Sequence, residues 1–84
     1  MDYLEILETV IKFCRENENN IEYTEIFYEK DNYKNLSISI DFVNCVNVSI
    51  VREMINYNTI DSDEYTQKEI TSKKQLLEIL EKLL

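Results

Sequence analysis

The sequence predicts an α+β fold of two layers: a helix, an antiparallel meander of three or four strands, and a C-terminal helix. Three observations carry this. Apolar residues recur with the 3.6-residue helical period near both ends of the chain; they alternate with small polar residues over residues 36–42 and 46–50; and 44% of the 84 residues are apolar, enough for one core. No Pro-rich linker, repeat or low-complexity tract divides the chain, so residues 1–84 read as a single acidic domain.

The first helix is expected over residues 3–16. Asp2 stands three residues before Glu5 in the pattern of a capping box. At 100° per residue, Tyr3, Leu4, Ile6, Leu7, Val10, Ile11, Phe13 and Cys14 cover one half, and Glu5, Glu8, Thr9, Lys12 and Glu16 the other. Glu8 and Lys12 have the spacing of an i,i+4 ion pair. The run Glu16-Asn17-Glu18-Asn19-Asn20 loses the period and offers Asn to end the helix.

Residues 21–29 mix Ile, Thr and aromatics in a partly alternating pattern, which reads as a strand with both faces partly covered, a helix being the competing reading. Asp31 to Asn35 concentrates turn formers. Leu36, Ile38, Ile40 and Phe42 then alternate with Ser37, Ser39 and Asp41, the clearest strand in the chain, with one buried and one wetter face. After a tight connection at Asn44, Val46, Val48 and Ile50 alternate with Asn47 and Ser49 in a third strand running to Arg52 or Met54. Residues 56–70 read as a loop interrupted by a short fourth strand around residues 65–70. Thr71 or Ser72 can cap the last helix, whose stripe is Leu76, Leu77, Ile79, Leu80, Leu83 and Leu84. Because the chain has no Gly and no Pro, its turns fall mainly to Asn, Asp, Ser and Lys.

Several function classes drop out on chemistry. Without His there is no Ser-His or Cys-His nucleophilic system, and without Gly no glycine-dependent phosphate loop. Cys14 and Cys45 lack metal-ligand or CxxC spacing and read as reduced thiols in or near the core. Asp61-Ser62-Asp63-Glu64 gathers carboxylates, but the Gly of a calcium loop is missing and the third ligand position falls on Tyr65, so a solvated turn is expected. No cofactor, no metal and no enzymatic activity are expected. The chain opens Met1-Asp2-Tyr3 with no positively charged start and no apolar run long enough for a bilayer, which predicts a cytoplasmic protein without membrane contact.

Charge supplies the positive signal. Seventeen acidic and nine basic residues give a net charge of -8, which disfavours direct nucleic-acid binding. Residues 1–33 hold nine acidic and three basic side chains, residues 34–56 are neutral, and residues 57–84 hold six and four. Glu5, Glu8, Glu18, Glu22, Glu25, Glu29 and Asp31, with Tyr28, are therefore the candidate partner-binding residues, on a surface that can steer toward a basic protein or mimic nucleic acid. Tyr23, Phe27, Tyr33, Tyr57 and Tyr65 divide between closing the core and enlarging such a surface. The leading expectation is a small protein-binding factor, an inhibitor that occludes a basic site. The alternative is an assembly subunit forming a homo-oligomer, such as a homodimer through a strand edge.

Overall fold

The computed structural model describes residues 1–59 and 64–84. Helix α1 (Tyr3–Glu16) is followed by a short 3₁₀ turn (Glu18–Asn20), strands β1 (Ile21–Phe27), β2 (Ser37–Phe42), β3 (Asn47–Val51), β4 (Met54–Tyr57) and β5 (Thr66–Glu69), and helix α2 (Lys73–Lys82). The strands form one antiparallel sheet in sequence order, β1-β2-β3-β4-β5. The α+β reading with a helix at each end of a meander therefore holds, and the sheet has five strands rather than three or four.

Both helices begin where the sequence supplies an acceptor. Asp2 Oδ1 accepts from the Glu5 N–H at 2.8 Å, and Ser72 Oγ accepts from the Gln75 N–H at 3.1 Å. At the C-terminus of α1, the Asn17 backbone N–H and side-chain amide both donate to the Phe13 carbonyl, at 3.1 and 2.9 Å. Lys12 pairs with Glu16 at 3.9 Å, not with Glu8 as the spacing suggested; both partners are well exposed, so the pair adds little.

The core lies between the helices and one sheet face. Ile38, Ile40 and Phe42 of β2, Val48 and Ile50 of β3, and Ile55 and Tyr57 of β4 are buried against Ile6, Leu7, Val10 and Phe13 of α1 and Leu76, Ile79 and Leu80 of α2. The Phe13 and Phe42 rings meet edge to face at 6.3 Å. Thr9, placed by its type on the polar side of α1, is buried instead. Its hydroxyl donates to the Glu5 carbonyl one turn back at 2.6 Å, which satisfies the group and lets a small side chain sit beside α2, where it shares a groove with Lys73 and Leu77.

Other expectations need correction. The third strand does not run through to Met54: Arg52 and Glu53 form a two-residue turn, with Val51 paired to Met54 across it, and the chain returns as β4. Residues 54–57 form a strand where the end of the third strand and the start of a loop were expected, whereas the strand at residues 66–69 falls within the short fourth strand expected around residues 65–70. β1 is not covered on both faces: Thr24 and Ile26 are half-buried on the helix side, whereas Tyr23, Glu25 and Phe27 are exposed on the other. The Asp61 to Asp63 part of the carboxylate cluster lies outside the described residues.

The turn chemistry also departs from expectation. Tyr33, Asn35, Cys45 and Arg52 have φ of 57°, 52°, 70° and 55°, so among the described residues four occupy the left-handed region and only one of them is Asn. Cys45 ends a three-residue connection closed by the Phe42 N–H to Val46 carbonyl bond of 2.8 Å, a position where hairpins of this length favour Gly. Its thiol is exposed rather than near the core. A β-carbon there costs about 1–2 kcal/mol, against about 0.5–1 kcal/mol for the extra chain entropy of Gly. Cys45→Gly is thus expected to stabilise the fold by about 0.5–1 kcal/mol and to raise the melting temperature by roughly 2–8 °C in a thermal CD scan. An unchanged or lower value would mean that the left-handed backbone at Cys45 carries no strain.

Candidate functional site

The two-layer architecture separates the acidic residues of the first third of the chain. Glu5 and Glu8 are exposed on the outer side of α1 and line a shallow depression that also holds Lys12 and Lys73. That surface is of mixed charge. Glu25 sits on the opposite side of the molecule, on the sheet face that no helix covers. The eight sequence-derived candidates therefore do not form one patch.

Six of them follow β1. Glu18 lies in the 3₁₀ turn that leads into the strand, Glu22 at a bulge between Ile21 and Tyr23, Glu25 in mid-strand, and Tyr28, Glu29 and Asp31 in the connection beyond its end. All six are exposed. Seven residues of strand extend about 20 Å, so the five carboxylates make a strip running the length of the sheet edge. Among residues 16–33 the one basic side chain is Lys30. Among the described residues the ion pair is Lys12 with Glu16, and none of these five carboxylates has a described Lys or Arg within pairing distance.

Local hydrogen bonds hold two of the five carboxylates, those of Glu25 and Glu29. In the β1–β2 connection the Tyr33 N–H donates to the Glu29 carbonyl at 2.8 Å and the Glu29 N–H to the Lys34 carbonyl at 3.0 Å, closing a compact loop. The Asn35 amide donates to Glu29 Oε1 at 2.7 Å, and the Tyr28 and Tyr33 rings stack at 5.3 Å. Within β1, Tyr23 Oη donates to Glu25 Oε2 at 3.0 Å. That bond to a carboxylate raises the Tyr23 phenol above its ordinary value of 10.0, with the negative charge of Glu25, burial and Asp41 adding in the same direction. The neutral phenol is thus the form the fold favours. Whatever this bond adds to stability is complete below pH 10 and is lost as pH rises through the raised value.

The register defines the uncovered sheet face. Tyr23, Asp41 and Asn47 form one row across the strands, Glu25, Ser39, Ser49, Asn56 and Gln67 a second, and Phe27, Ser37, Val51, Met54 and Glu69 a third. The Asn47 amide donates to Asp41 Oδ1, tying β2 to β3. Small uncharged residues fill the middle, and exposed Tyr23, Phe27 and Val51 lie toward the margins. Of the aromatic candidates, Tyr23, Phe27, Tyr28 and Tyr65 are exposed, Tyr33 packs partly on the core, and Tyr57 belongs to it.

Cys14 is half-buried beside Thr24, whose hydroxyl lies 3.8 Å from its sulfur; burial pushes the thiol up, and the Thr24 contact opposes this in part. Tyr3 donates to Glu53 Oε2 at 3.0 Å, an inter-element bond absent from the sequence reading because the partners are fifty positions apart. Among the described residues no group of three or more Cys, Asp or Glu is placed to hold a metal ion, and no helix is long and apolar enough to cross a membrane. No protein-family model matches the chain, and neither a curated protein nor a solved structure matches it.

Proposed function

We propose that this chain is a non-enzymatic binding factor that covers a basic surface of a partner protein, acting by steric occlusion. The observation that carries the reading is the strip of Glu18, Glu22, Glu25, Glu29 and Asp31 along β1, exposed and without described basic neighbours in pairing range, beside the exposed rings of Tyr23, Phe27 and Tyr28. Carboxylates spread over about 20 Å have the sign and reach to occupy a groove that otherwise attracts a phosphate backbone. The neighbouring rings add apolar contact area, and the two tyrosines among them add polar tips, a composition enriched at interfaces. The mixed-charge outer side of α1, with Glu5 and Glu8, is peripheral in this reading.

The test is charge reversal in three places. A nuclease-treated native lysate is passed over the immobilised protein, and a basic protein retained near one-to-one is quantified. Glu22→Lys with Glu25→Lys is expected to weaken its capture by about tenfold or more while the thermal melt stays within about 1 kcal/mol of the parent. Glu5→Lys with Glu8→Lys is expected to matter less, and Glu78→Lys with Glu81→Lys on α2 least. Equal losses from all three pairs would show attraction to net charge alone, and capture that disappears with nuclease would remove the reading.

A further inference from the structure

We infer that the outer edge of β1 accepts an extended, Lys- or Arg-bearing segment of the partner protein as a sixth strand of the sheet. The inference rests on the proposed binding of basic proteins and specifies how they are held.

The hydrogen-bond alternation of the sheet shows where β1 is open. The Phe42 N–H bonds the Val46 carbonyl and the Arg52 N–H bonds the Leu36 carbonyl, both at 2.8 Å, so the even-numbered residues of β2 direct their backbone groups toward β3. The odd-numbered residues Ser37, Ser39 and Asp41 then face β1, where their register partners are Phe27, Glu25 and Tyr23. This leaves the N–H and C=O of Thr24 and Ile26 directed away from the sheet, with no strand beyond them among the described residues. The other edge is different. β5 has four residues, Thr-Gln-Lys-Glu, short and charged as protected edges are, whereas β1 has seven and is the longest strand of the sheet. Its bulge, at Glu22, lies near the start of the strand, before Thr24 and Ile26.

Charge chooses the occupant. Pairing β1 with β1 of a second copy would bring Glu22 and Glu25 of both chains to one seam, with Glu18, Glu29 and Asp31 near its ends, in protomers that each carry a net charge of -8. A basic strand reverses the sign of every one of those contacts. On the uncovered face, Tyr23 and Phe27 flank Glu25 at alternate positions, and the Tyr23 hydroxyl orients its carboxylate. A Lys or Arg opposite Glu25 can place its charge on the carboxylate and its stem against the two rings. Backbone pairing with Thr24 and Ile26 supplies affinity, and this aromatic-acid-aromatic stripe supplies selection for a cation at one alternate position.

The experiment uses four synthetic heptapeptides in which Lys or Arg alternates with Val or Thr, each paired with an analogue N-methylated at the two central edge-facing amides. Titration is followed by NMR on the full chain. The alternating peptides are expected to protect the Thr24 and Ile26 amides from hydrogen exchange, and N-methylation to weaken binding about tenfold or more. Thr24→Pro removes one outward N–H without touching the β2 ladder and is expected to weaken the parent peptides but not the N-methylated ones. If parent and N-methylated peptides bind equally, the edge pairing is overturned and only charge attraction remains. If no peptide binds while Glu22→Lys with Glu25→Lys still weakens capture of a basic protein, the edge is wrong and the binding function stands. Failure of both removes both. Protection of the same amides without peptide, with a mass that rises with concentration, assigns the edge to a second copy instead.

Discussion

Ile38→Asp is expected to abolish the cooperative thermal transition at neutral pH. Ile38 is 1% exposed in the middle of β2, with Ile26 of β1 and Ile50 of β3 as its cross-strand neighbours. Losing its side chain costs about 2–5 kcal/mol by analogy with large-to-small core changes. The carboxylate adds a desolvation penalty of several kcal/mol more, since the buried residues around it include no Lys or Arg. A domain of this size has about 5–10 kcal/mol of total stability to lose. Burial favours the protonated acid, so the folded-state pKa of the new Asp lies above its unfolded value. The damage is therefore full at neutral pH and recedes as pH falls through that raised value, which predicts partial recovery of the transition in mildly acidic buffer. Ser37→Asp, one residue away on the exposed face, is expected to change stability by less than about 0.5 kcal/mol. Far-UV CD melts of the two variants decide: a normal melt for Ile38→Asp, or an equal loss for Ser37→Asp, would contradict the register of β2.

That contrast also explains which parts of the fold the sequence displays. Strand β2 and both helices are legible because each buries one face and wets the other, so periodicity records the environment directly. β4 alternates Ile55 and Tyr57 with Met54 and Asn56, but four residues are too few for a pattern to stand out, and the turn before it is made by Arg52 and Glu53 rather than by Gly or Asn. β5 falls where a short strand was expected, but no alternation marks its bounds, because it buries none of its own four side chains; Ile70, which is buried, lies just past its end. Thr9 was hidden for the opposite reason: its burial depends on α2, near the other end of the chain, and its hydroxyl is satisfied within its own helix. The acidic bias was visible from counts alone, but its division was not. Glu8 and Glu25 are close in sequence and sit on opposite sides of the molecule because a helix and a sheet lie between them.

Phe42→Ala is expected to cost about 3–5 kcal/mol, and its consequences should separate stability from recognition. Phe42 is the last residue of β2, 1% exposed, with Ile21 at the start of β1 as its cross-strand partner and the Phe13 ring edge-on to its own. The turn that follows it is tied to both neighbouring elements: the Val43 N–H donates to the Asn20 carbonyl at 3.0 Å, and the Asn44 amide to the Leu83 carbonyl at 2.7 Å. The ring therefore supports the corner where α1 ends, β1 begins and α2 returns. Urea denaturation should show a lower midpoint with an unchanged slope, and a double-mutant cycle with Phe13→Leu should give a coupling of about 0.5–1.5 kcal/mol. Strict additivity would mean that the edge-to-face geometry contributes nothing beyond buried area. Because this corner sets the start of β1 without supplying a carboxylate to the strip, Phe42→Ala should weaken partner capture only in proportion to the unfolded fraction, and lowering the temperature toward the stability maximum should restore it. Glu22→Lys with Glu25→Lys should lose capture at every temperature with the fold intact. A Phe42→Ala protein that is fully folded yet fails to bind would move the recognition surface from the β1 strip to this corner.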